Sequence, residues 1–101
     1  MAKGYFIVTE DVHDADALNA YVGKALPTIL QSGGKPIVFD PNLDVIEGEW
    51  KGSQVVILEF ESVEAAKAWY NSPEYQAVVG ERLAATDGAA VIVSGFEMPG
   101  A

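Results

Sequence analysis

The chain has 101 residues, half of them apolar, which is enough for one domain spanning 1–101 and too few for two. Fifteen acidic against six basic side chains give a formal charge of −9, a field that repels phosphate backbones and anionic lipid and argues against nucleic-acid and membrane partners. The absence of cysteine excludes disulfides, thiolate metal sites and cysteine nucleophiles together.

In chain order, Gly4–Glu10 reads as a first strand, rich in aromatic and β-branched residues. Its Tyr5–Val8 run is too short for a secretory core, and no apolar stretch approaches membrane-spanning length, so a cytoplasmic location is expected. Asp14 then caps a helix whose apolar positions run Leu18, Tyr21, Val22, Ala25, Leu26, Ile29 and Leu30. Pro27 predicts a kink rather than a stop, and Gly33-Gly34 supplies the left-handed residue that ends the helix. Pro36–Phe39 and Asp44–Gly48 read as two pieces of one bent strand. Gln54–Glu61 is the strongest strand of all. Ser62 caps a second helix. Asn71-Ser72-Pro73-Glu74 reads as a stop and an immediate restart, with a third helical stretch to about Ala85. Ala89–Glu97 closes as a last strand, giving an ordered core of about 4–97.

The order is βαββαβ, the ferredoxin-like α+β pattern with antiparallel sheet order 4-1-3-2. A weak internal echo agrees with it: a shift of 49 residues lays Ile7 on Val56, Tyr21 on Tyr70 and Glu10 on Glu59. Both faces of the predicted sheet are apolar, with Tyr5 and Ile7 on one side of the first strand and Phe6 and Val8 on the other. Two helices cover only one face, so the other is expected to meet a second copy of the chain.

Few residues offer chemistry. His13 is the one histidine and sits in a turn, so a multi-histidine metal site is excluded, and no metal or cofactor is expected. Glu59 lies inside the most apolar strand, and its echo partner Glu10 sits on a neighbouring strand. Were these strands parallel, the two carboxylates would lie about one strand spacing, roughly 5 Å, apart and form an acid/base pair. Arg82 is the one arginine, at the edge of an apolar helical stripe, where a guanidinium needs a carboxylate such as Glu59 or an anionic ligand. Tyr5, Trp69, Tyr70 and Tyr75 are expected to wall a small pocket between helices and sheet.

Gly4-Tyr5, Gly33-Gly34, Glu47-Gly48, Glu59-Phe60, the segment Ala68-Trp69-Tyr70-Asn71-Ser72-Pro73-Glu74-Tyr75-Gln76, Arg82 and Gly95 together resemble a small bacterial family of unknown function in the dimeric α+β barrel superfamily. The resemblance covers Gly4 to Glu97 and implies a homodimer closing an α+β barrel; it implies no reaction. The first functional expectation is a cofactor-independent enzyme acting on a small organic molecule by acid/base chemistry. Glu59 would be its catalytic group, Arg82 its anion anchor, and the aromatic residues its walls. The alternatives are a non-catalytic metabolite-binding module and a purely structural homodimer.

Overall fold

The computed structural model describes residues 2–99. The strands are β1 (Gly4–Val12), β2 (Lys35–Asp40), β3 (Gln54–Phe60) and β4 (Thr86–Ser94). The helices are α1 (Ala15–Gln31), α2 (Val63–Tyr70), the single turn α3 (Pro73–Gln76) and α4 (Val79–Ala85). The sheet runs β2-β3-β1-β4 with every neighbouring pair antiparallel, which is the expected 4-1-3-2 read from the opposite edge. No helix among the described residues is long and apolar enough to cross a bilayer.

Local chemistry accounts for most boundaries. The Asp14 carboxylate accepts from Ala17 N, the Ser62 hydroxyl from Ala65 N, and the Ser72 hydroxyl from Tyr75 N with Pro73 at the first helical position. Gly33 takes φ +77°, and Gly34 lies so close to the Phe60 ring that an added Cβ would overlap it. Pro27 does not end α1; it sits on the exposed side, and the carbonyl it deprives of a donor belongs to Gly23, which also faces water.

Three sequence expectations need correction. Residues 44–48 are not strand: β2 ends at Asp40, and the chain leaves the sheet until Gln54. The third helical stretch breaks at Ala77-Val78, so that Tyr75 and then Val79 and Arg82 each turn inward. β4 begins at Thr86 rather than Ala89, because α4 runs straight into it, and it ends at Ser94.

Strand alternation divides the sheet into two unlike faces. Phe6, Val8, Leu58 and Phe60 point to the helices and are buried against Leu18, Tyr21, Ala25 and Ile29 of α1 and against Ala66 and Trp69 of α2. Burying an aromatic of this size stabilises by about 1.5–3 kcal/mol relative to exposure. The opposite face carries Tyr5, Ile7, Val55, Ile57, Val91 and Val93; no helix covers it, and Val91 is half exposed.

Candidate functional site

A polar cluster lies within the helix-covered layer. Glu10 is the seventh residue of β1, and alternation puts it on the same side as Phe6 and Val8, where it is only 2% exposed. Gln54 and Gly88 stand opposite it on the two flanking strands. Gly88 has to be small: an added Cβ would run into the Thr9 carbonyl and the Glu10 side chain. Arg82, 6% exposed, comes in from the last turn of α4.

Gln54 Nε2 donates to Glu10 Oε2 at 3.0 Å. The other carboxylate oxygen, Oε1, accepts no hydrogen bond among the described residues, and Arg82 Nη1 stands 3.8 Å away. Arg82 Nε donates to the Tyr75 hydroxyl at 3.4 Å, and that hydroxyl is 2.7 Å from the hydroxyl of Tyr21. A continuous polar path therefore runs Gln54–Glu10–Arg82–Tyr75–Tyr21 through an otherwise apolar layer. Burial works against the Arg82 charge, but Tyr75, Tyr21 and Glu10 outweigh it and hold the guanidinium above its ordinary range. The Tyr21 phenol is pushed far up, first by burial and then by the Tyr75 hydroxyl.

Trp69 and Tyr75 stack beside this path with ring centroids 4.1 Å apart, and Tyr70 lies 5.5 Å from Tyr75. The indole N–H of Trp69 donates to the Thr28 hydroxyl at 3.0 Å. Trp69, Tyr70 and Tyr75 thus pack against one another in the core, with Arg82 in contact with Tyr75, while Tyr5, expected beside them, lies on the opposite face of the sheet.

The same geometry separates Glu59 from that group. Glu59 pairs in register with Tyr5 on the open face; the Tyr5 hydroxyl donates to Glu59 Oε2 at 3.0 Å, and Lys35 Nζ stands 3.6 Å from Oε1. This hydrogen bond, more than burial, raises the Tyr5 phenol, since ionisation would set a second negative charge against the carboxylate. Glu10 and Glu59 do not approach each other. β1 and β3 are antiparallel, so the 49-residue echo places the two acids at opposite ends, about 17 Å apart at a rise of 3.3–3.4 Å per residue. Of the carboxylates open to Arg82, Glu59 or another acid, the structure supplies Glu10.

His13 is exposed at the entry to α1, where its backbone N–H donates to the Ala85 carbonyl. Among the described residues, no group of three or more His, Asp or Glu side chains gathers closely enough to hold a metal ion. Sequence reasoning left out Gln54, and it did not join Tyr21 or Glu10 to Arg82. The parity of β1, which sets Glu10 with Phe6 and Val8, was the signal available.

A four-stranded antiparallel sheet in this order, backed on one face by helices, defines the ferredoxin-like α+β class. Within that class the chain belongs to a family described as a domain of unknown function (DUF1330), whose profile matches residues 3–96. No curated protein matches significantly. Among solved structures, a protein of unknown function from Rhodopseudomonas palustris superposes with a TM-score of 0.78 at 20% identity, over 96% of this chain and 85% of that one. SnoaB, a cofactor-independent oxygenase from Streptomyces nogalater, superposes with a TM-score of 0.71 at 10% identity over the full length of both. A dimeric ferredoxin-like protein of unknown function from Thermobifida fusca follows with a TM-score of 0.62 at 15% identity, over 92% and 91% of the two chains. At these identities the likeness is one of fold.

Proposed function

We propose that this protein is a homodimer closing an α+β barrel through its open sheet faces, and that each protomer performs cofactor-independent acid/base chemistry on a small organic molecule at the Glu10–Arg82 cluster. One observation carries the catalytic part: a buried carboxylate keeps one oxygen without a hydrogen bond while a buried guanidinium stands next to it. An unsatisfied buried acceptor costs about 1–3 kcal/mol, so this oxygen calls for a further donor, and a substrate group can supply it. Glu10 Oε1 is the proton acceptor. Arg82 steadies the negative charge that develops on the substrate, and the Tyr75 hydroxyl, which accepts from Arg82 Nε, holds the guanidinium in place. Trp69 and Tyr70 form the apolar wall. This moves the acid/base role from Glu59 to Glu10 and leaves Tyr5 and Glu59 as interface residues. A cofactor-independent oxygenase shares the fold, so the fold accommodates catalysis without a cofactor.

The network's other bonds favour a second reading, in which the cluster is a structural pin. Gln54, Tyr75 and Tyr21 are all engaged, and neither of the grooves flanking Trp50 on the open face reaches Arg82. A thermal-shift screen of small organic acids, phenols and carbonyl compounds separates the two, with each hit followed by NMR in D2O for proton exchange. The catalytic reading expects at least one stabilising compound whose protons exchange with wild type and not with Glu10→Gln. A screen without hits, or exchange that is equal in both proteins, sinks that reading and leaves the structural one.

A further inference from the structure

The segment between β2 and β3 is out of keeping with the rest of the molecule. Residues 41–53 form no helix or strand; the segment opens on a turn in which the Asp40 carboxylate accepts from Asn42 N at 2.8 Å, and its far end is tied to β1 where the Asp11 carboxylate accepts from Ser53 N at 3.0 Å. Between these points lie Val45, Ile46 and Trp50, all exposed, with Ile46 at 89%. Val45 and Ile46 belong to the stretch whose side chains read as strand, and within one copy both are exposed. Trp50 overhangs a groove of about 660 Å³ floored by Thr9 and Ala89 on the open face. A connection of this length with apolar side chains and no structure of its own is uncommon in compact domains and usually has a partner.

The size of the molecule indicates what that partner is. Its accessible surface is 6426 Å² for 10.7 kDa. A compact monomer of that mass exposes about 5,500 Å², so the excess is about 900 Å². A stable protein–protein contact covers about 800 Å² on each partner. The radius of gyration, 14.1 Å, likewise exceeds the roughly 12.7 Å of a compact chain this long. The excess surface thus amounts to one interface, and the arm continues directly from the open sheet face.

We propose that residues 41–53 are a dimerisation arm: Val45 and Ile46 seat on a second copy, and the same contact fills the groove beneath Trp50. This rests on the homodimer reading above and adds the element that secures it. In a two-fold contact each arm is used twice, so one substitution counts double.

Sedimentation equilibrium on the full chain, comparing wild type with Ile46→Asp and Leu83→Asp, tests the arm. Both residues are exposed in the single copy, and Leu83 lies on α4, away from the arm. The expected result is a dimer dissociation constant at least 30-fold weaker for Ile46→Asp, an unchanged one for Leu83→Asp, and far-UV circular dichroism identical for all three. Acrylamide quenching of Trp50 gives an independent reading without a variant, since Trp69 is buried throughout; Trp50 is expected to be protected in the dimer and released on dilution. A wild-type dimer that Ile46→Asp leaves within threefold, or a Trp50 equally quenched in dimer and monomer, overturns the arm while the homodimer stands. A wild type that is monomeric at high concentration overturns both.

Discussion

The two faces of the sheet use their polar groups in opposite ways. On the helix-covered face, Glu10 and Arg82 are shut away from water and one carboxylate oxygen goes without a hydrogen bond. On the open face, Glu59 is served by Tyr5 and Lys35, and the surrounding surface is apolar but uncovered. The first face spends stability on an arrangement that packing alone does not require. The second has its polar groups satisfied and apolar area left over. The proposed chemistry belongs to the first side of the sheet and the proposed association to the second.

The largest expected effects come from the covered face. Trp69→Ala removes a fully buried indole from the centre of the aromatic cluster and should lower unfolding free energy by about 3–5 kcal/mol in urea titrations. Arg82→Met leaves the Glu10 carboxylate buried without its counter-ion, and a loss of similar size, about 3–5 kcal/mol, is expected. A loss under 1 kcal/mol for Arg82→Met would mean that Glu10 reaches water and that the two faces are less different than described.

Alkaline pH sharpens the contrast. The Tyr21 phenol is held well above its ordinary value of 10.0, chiefly by burial. The unfolded chain releases this proton near pH 10 while the folded one keeps it. Its contribution is therefore complete below pH 10 and is lost as pH rises further, by about 1.4 kcal/mol per pH unit. Melting temperatures from pH 8 to 12 should fall above pH 10, and Tyr21→Phe should flatten that slope. Tyr75→Phe, which breaks the hydroxyl pair and the Arg82 contact, should cost about 1–3 kcal/mol by the same urea measurement. Tyr5→Phe on the open face is the smallest change: a loss of a few tenths of a kcal/mol, as for exposed polar contacts, with any larger effect appearing in dimer affinity.

Much of the fold was legible because local rules agreed with one another. Ser72-Pro73-Glu74 marked a helix restart that the structure keeps, and the alternation in β1 and β3 gave two apolar faces. Residues 44–48 misled because Val45 and Ile46 have strand-like side chains, but pairing requires a neighbouring strand and β2 has already left the sheet. The site was legible in its parts. The aromatic residues and Arg82 were named, but Glu10 was set beside Glu59, since a sequence echo records pseudo-symmetry and not strand direction. Antiparallel pairing turned that echo end for end, placing Glu59 beside Tyr5 and leaving Glu10 to Arg82.

The most direct test of this division is a native mass spectrum of wild type and Glu10→Gln, each incubated with the same small-molecule extract and desalted. The account predicts dimers for both proteins, with a reproducible small-molecule adduct on wild type that the variant lacks. A monomer, a wild type that stays bare in the extract, or an adduct carried equally by both proteins would contradict it.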